Sequence, residues 1–324
     1  MPGVARRLLE SLPMRCFLVL VMVVLGSACG DDGPPAPPFD SGVTPDGPEV
    51  VACPTCWVPK PGEFKNWDVQ LTAPFDISTA RAMYDLDLFD VVPSPQTVTY
   101  ADGMLTIPAG TLATAITDLH ATSTKVVCHV GAGLIDVSDP DASKFPVEVL
   151  GASTVNWQNG FDNDRYVDIR SATVLEVVKK RLDLAKTIGC DAVEADGIDQ
   201  SKDAPGFPVV EADVITYFQK VAAEAHRREL SVGMKNVWNT PTVIAELPAI
   251  YDWMMVVRCA EFNDCGKETA FVVAQKAVFG FDVAKPDANG NGVDAATACP
   301  IYGGSMIDGI IKDDELTKTR TACP

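Results

Sequence analysis

Residues 171–199 read SATVLEVVKKRLDLAKTIGCDAVEADGID, and this stretch decides the fold. Val174, Val178, Leu182 and Ala185 recur at the spacing of one helix face. Gly189 follows as a stop, because glycine accepts the left-handed conformation in which many helices end. The spacing predicts a helix over Ser171–Ile188. Directly after the stop, Ala192–Asp196 is a short run that is too brief for a helix and ends in acid. Helix, tight stop and short acid-tipped strand make the repeating unit of a parallel α/β fold.

The same unit recurs on either side. Glu211–Arg228 places Val214, Phe218, Val221 and Ala225 on one helical face. Strands are predicted at Trp67–Leu71, Met83–Phe89, Lys125–Val130, Ala192–Asp196, Ser231–Lys235, Trp253–Arg258, Ala277–Asp282 and Gly309–Lys312. Several are near-continuous Val, Ile or Met runs, which suits parallel strands covered on their outer face. Eight strands alternating with helices predict one closed α/β barrel, a (β/α)8 TIM barrel, over residues 61–324. An open doubly wound sheet lacks support, since no Gly-rich phosphate turn follows the first strand.

Residues 1–28 read as an export signal. Arg6, Arg7 and Arg15 precede an unbroken apolar run, Phe17–Leu25, too short to cross a bilayer. Gly26-Ser27-Ala28-Cys29 resembles the lipobox of bacterial lipoproteins, with Gly26 where that motif usually has Leu. Lipidation at Cys29 is therefore expected, with a cell-envelope or secreted location and membrane contact through the anchor alone. Residues 29–60, rich in Pro, Asp and Gly, read as a linker that cannot bury enough apolar surface to fold. Losing Arg6, Arg7, Arg15 and Glu10 with the signal takes the net charge from −18 to −20. Such acidity repels nucleic acid and favours a cationic ligand, and a monomer is expected.

The chain has ten cysteines, and export permits disulfides. Setting aside Cys16 and Cys29 leaves eight, whose pairing the sequence does not fix. Cys53-x-x-Cys56 reads as a structural disulfide. It has no second CxxC beside it, and His120, His129 and His226 are scattered, so no metal and no cofactor are expected. Cys128 and Cys190 lie in apolar strand contexts and read as free buried thiols.

Barrel enzymes carry their chemistry at the carboxyl ends of the strands. Here those ends carry Asp85 and Asp87, His129, then Glu194, Asp196 and Asp199, then Lys235-Asn236, Arg258 and Asp282. One acid after a strand can be a helix N-cap. Acids at several strand ends instead suggest glycoside hydrolysis, which needs one carboxyl to protonate the leaving oxygen and another as base or nucleophile. Lys235 and Asn236 can bind sugar hydroxyls or tune a neighbouring carboxylate. Trp67, Trp157, Trp238 and Trp253 can stack on sugar rings, Trp253 being the best candidate for a core role instead.

Several segments resemble glycoside hydrolase family 114. They are Tyr84–Asp90, Tyr166–Arg170, Gly189–Asp196, Ala225-His226, Val232–Asn236, Cys259 with Cys265, and Gly309–Asp313. The resemblance runs from about Trp67 to the end of the chain. It implies a TIM barrel and hydrolysis of galactosamine-containing polysaccharide by an endo-acting polygalactosaminidase. It carries one catalytic acid to Asp196. The second falls on Val257, which cannot transfer a proton. His129 stands where the family has an aromatic residue, Gly197 where it has Asn, and Asp282-Val283 where it has Glu-Tyr.

Three outcomes are open. Glu261 can reach in as the second acid, or Asp282 or Glu194 can serve, or hydrolysis is lost and the barrel binds glycan. Catalytic candidates are thus Asp196, Asp282 and Glu261. Substrate contacts are expected from Asp87, Asp199, Lys235, Asn236, Glu194 and Arg258.

Overall fold

The computed structural model describes residues 50–154, 164–201, 203–236, 241–287 and 290–324. The expected signal, Cys29, most of the linker, Trp157 and Trp238 lie outside these residues.

The main sheet contains β1 (Trp67–Gln70), β2 (Met83–Asp87), β3 (Lys125–Gly131), β4 (Ala192–Asp196), β5 (Ser231–Lys235), β6 (Trp253–Val257), β7 (Val278–Val283), β8 (Asp308–Lys312) and β9 (Arg320–Ala322). The first eight lie side by side in chain order, every neighbour parallel, and β9 returns antiparallel on β8. Each predicted strand is present, its ends shifted by no more than two residues. The crossovers carry α1 (Ala115–Ala121), α2 (Ala172–Ile188), α3 (Glu211–Arg227), α4 (Pro241–Glu246), α5 (Cys259–Phe262), α6 (Thr269–Val273) and α7 (Ala295–Ser305). The exception is the step from β1 to β2, which has no helix among the described residues.

The result is a mixed α/β fold with a nearly closed, barrel-like sheet. β9 occupies the edge of β8 that faces β1, so side chains and loop backbone bonds close the ring in place of a ladder. Trp67 Nε1 donates to Asp308 O at 2.8 Å, and Arg320 Nε donates to Trp67 O at 2.8 Å. Lys312 Nζ meets Asp68 Oδ1 at 2.8 Å, and Leu71 N donates to Leu316 O at 2.9 Å.

The helix faces behave as the spacing requires. Val174, Val178, Leu182 and Ala185 of α2 are buried, as are Val214, Phe218, Val221 and Ala225 of α3. Ser171 caps α2 by accepting from Thr173 N, and Gly189 ends it at φ 99°. Two short β structures were not foreseen. One is the hairpin Gln96–Tyr100 with Gly103–Ile107, the other a small sheet of Leu134–Asp136, Leu150–Ser153 and Asp164–Val167. Their strands are short and largely half-exposed, so they lack the apolar run that marks the barrel strands.

Inside the ring, alternate residues of each strand pack together: Trp67, Val69, Met83, Val127, Ala192, Trp253, Met255, Val257, Phe279, Phe281 and Ile310. Trp253 fits because its neighbour is Gly233, where a Cβ would lie 2.2 Å from the indole. Trp67 and Trp253 are both fully buried, so Trp67 joins the interior and is not a stacking surface for sugar.

Cys128 and Cys190 are not free thiols; they form a disulfide with Cα atoms 6.0 Å apart. Parallel neighbours β3 and β4 bring the two within reach, Cys128 lying opposite Val193, three residues beyond Cys190. Cys53–Cys56, Cys259–Cys265 and Cys299–Cys323 complete the pairing of the eight.

Candidate active site

Strand alternation decides which strand-end residues share the interior. Asp85 and Asp87 follow the parity of inward-facing Met83; His129 follows Val127; Glu194 and Asp196 follow Ala192; Lys235 follows Gly233. The interior is therefore divided. The β6–β7 side is apolar and aromatic, and the β2–β5 side carries the strand-end charge gathered here.

Lys235 Nζ sits between two carboxylates, 3.1 Å from Asp196 Oδ2 and 3.4 Å from Glu194 Oε2. His129 Nδ1 is 2.7 Å from Glu194 Oε2, and its Nε2 is 3.9 Å from Asp196 Oδ2. Asp196 is the outermost member, with 24% of its side chain exposed against 1% for Glu194. Below them Asp85 is fully buried, and neither of its oxygens has a hydrogen-bond partner among the described residues. The same holds for Glu194 Oε1.

The proton distribution follows from this packing. Burial works to raise the Asp196 pKa, but Lys235, His129 and the Gly197 amide outweigh it and hold the carboxylate below its usual range. Burial and then Glu194 push the Asp85 carboxyl well above the normal range. Burial and the Lys235 charge work against the His129 imidazolium. The carboxylates of Glu194 and Asp196 overcome both and raise its pKa from 6.5 to about 9. Burial likewise opposes the charge on Lys235, yet Asp196, Glu194 and Asp85 leave its pKa raised. Near the mouth, Asp164 is pushed to about 7 by burial, then by Asp196 and Asp136.

The loops after β3 and β4 are pressed together over this cluster. Ala132 N and Gly133 N both donate to Asp196 O at 2.9 Å. Gly197 has φ +76°, and a Cβ there would lie 2.5 Å from Leu134, so a larger side chain has no room. Arg181, 2% exposed on α2, anchors the following loop through Asp139 at 2.8 Å and Asp141 at 2.5 Å.

The structure thus gathers Asp196, Glu194 and Lys235 from the expected set, together with Asp85 and His129. Asp87 stands above them, its Oδ1 accepting from Phe89 N at 2.8 Å and Asp90 N at 3.3 Å, an ordinary turn-forming pattern. Asp199 lies in the loop after β4, 3.3 Å from Ser201 Oγ. Asn236 at φ 47° ties β5 to β6, its Oδ1 accepting from Val257 N at 2.8 Å.

The remaining expected residues are engaged elsewhere. Asp282 has the opposite parity to Phe281 and faces α7, where it accepts from Tyr302 OH. It also caps α5, accepting from Ala260 N at 3.2 Å and Glu261 N at 3.0 Å. Glu261 meets Arg258 Nε at 2.6 Å and accepts from Gly292 N at 3.0 Å. Arg258 also pairs with Asp287 at 2.6 Å. At the barrel's opposite end, Cys56, His226 and Asp252 bring ligand-type atoms within 4.8 Å of one another, with the Cys56 sulfur committed to its disulfide.

The family model for glycoside hydrolase family GH114 matches residues 48–324. The chain belongs to family GH114. Among solved structures, Ega3 of Aspergillus fumigatus, in complex with galactosamine, is similar at 27% identity and TM-score 0.67, covering 82% of this chain and 97% of that one. The glycoside hydrolase domain of PelA from Pseudomonas aeruginosa has the same fold at 12% identity and TM-score 0.54, covering 79% and 97%. A search of curated proteins gives no match. In this GH114 chain Val257, the residue on which the resemblance places the second family acid, is a buried part of the apolar interior.

Proposed function

We propose that this GH114 protein is a glycoside hydrolase of galactosamine-containing polysaccharide, with Asp196 as its ionised carboxylate. One observation carries the reading. Asp196 sits at the carboxyl end of β4, partly exposed, and is kept charged by Lys235 at 3.1 Å and His129 at 3.9 Å. A carboxylate so held stabilises positive charge at a sugar C1 or attacks it. The galactosamine complex of the related Ega3 and the strong acidity of this chain, net charge −18, support a cationic polymer as substrate. The same reading takes the barrel as a (β/α)8 enzyme domain, exported and anchored through Cys29, acting as a monomer.

Asp196→Asn removes the charge with little change in shape. The purified variant is expected to release no reducing ends from such a polymer under conditions where the unaltered protein does. Equal rates for the two proteins would refute the assignment.

Val257 favours a second reading, in which the barrel holds the glycan without cleaving it. That reading predicts saturable binding with no new reducing ends after long incubation.

A further inference from the structure

We infer that His129, oriented by Glu194, is the proton donor and acceptor of this site, in the role that Val257 cannot fill. The inference rests on the hydrolase reading above and deepens it.

The geometry is that of an imidazole–carboxylate dyad. Glu194 Oε2 holds His129 Nδ1 at 2.7 Å and fixes the ring. Glu194 itself is fixed by burial and by Lys235 at 3.4 Å. With Nδ1 tied down, Nε2 is the only ring nitrogen left to exchange a proton, and it is directed toward the exposed carboxylate, Asp196 Oδ2 at 3.9 Å. The ring is 16% exposed, the carboxylate 24%, so both reach solvent at the strand ends while Glu194 and Asp85 do not. The apolar β6 face opposite offers no proton of its own.

Several charges act on the ring. From β2 come Asp85 and Asp87, from β4 Glu194 and Asp196, from β5 Lys235, and from the small sheet Asp164. Lys235 and burial oppose the imidazolium, and the carboxylates more than restore it, so the ring is protonated at neutral pH. Asp196 is left ionised beside it. Two neighbouring groups with their affinities for protons driven apart are what acid–base chemistry requires.

The step balances. Asp196 forms a bond to C1 as the C1–O bond breaks, and the electron pair stays on the leaving sugar oxygen. That oxygen takes the proton from His129 Nε2. The neutral imidazole then removes a proton from water, whose hydroxyl displaces Asp196 from C1. Ring and carboxylate end in their starting states. The 3.9 Å gap leaves no room for the intervening water of an inverting pair, which needs about 6.5–9.5 Å between its two groups. It is also shorter than the ~5–5.5 Å of a retaining pair, so a bound sugar must part the two groups by about 1–2 Å.

The test compares leaving groups. The full-length protein and its His129→Gln variant are assayed on a galactosamine polymer and on an aryl galactosaminide whose phenolate leaves without protonation. Polymer cleavage is expected to fall about 10²–10⁴-fold, the usual worth of general acid–base catalysis. Release of the activated phenolate should fall far less. In Glu194→Gln the alkaline limb of the rate profile should move to lower pH, because the carboxylate that raises the ring's affinity for protons is gone. Equal polymer rates with and without His129 overturn the inference and leave the hydrolase reading standing. So does a leaving-group split that follows Asp164→Asn instead. An unaltered protein that cleaves neither substrate overturns both.

Discussion

At the residue scale, the cluster depends on charge balance in a buried, low-dielectric setting. Asp196, Glu194 and Asp85 face His129 and Lys235, and burial with Glu194 pushes the Asp85 carboxyl well above its ordinary range. His129 gives the balance a pH signature. Its pKa rises from 6.5 to about 9 on folding, so its stabilisation is complete below 6.5 and is lost as pH climbs through about 9. Urea denaturation is expected to show stability declining over that interval. The decline should be weaker in His129→Gln, and an identical decline in both proteins would contradict the account. Part of this cluster was legible in the sequence. Asp196, Glu194 and Lys235 were found as polar residues where apolar runs stop. His129 and Asp85 carried the same signal, and their parity with Val127 and Met83 would have placed them inside. Parity would also have turned Asp282 outward, toward Tyr302.

At the element scale, the eight strands and the two long helices were readable because each is a short apolar run or a clean single-faced repeat. The hairpin and the small three-stranded sheet were not, because short, half-exposed strands leave a weak apolar pattern. Nor was Arg181, a charge set among the buried residues of α2, whose partners Asp139 and Asp141 lie some forty residues away in sequence. Arg181 is the link from α2 to the loop that overlies the site. Arg181→Met leaves Asp141, fully buried, without its cation, and an uncompensated buried charge costs about 3–5 kcal/mol. Chemical denaturation should show a loss of that order. A loss below about 1 kcal/mol, the worth of a surface pair, would show that the loop is not anchored there.

At the scale of the whole molecule, a nearly closed parallel sheet points the carboxyl ends of β2 to β5 at one mouth and fills the rest of the interior with aromatic and aliphatic side chains. The family match spans residues 48–324, and of the departures that the resemblance implies, His129 and Gly197 lie at the mouth, Val257 in the apolar interior and Asp282 against Tyr302 outside it. Gly197 has a packing reason in Leu134, and Val257 merges with the apolar interior. The account therefore turns on whether this GH114 barrel, with Val257 where the resemblance places an acid, breaks glycosidic bonds. The direct measurement is the reducing-end count when the purified protein is incubated to saturation with a galactosamine polymer. The account predicts a steady rise that depends on Asp196. Saturable binding with no rise at all would contradict it and leave a glycan-binding barrel.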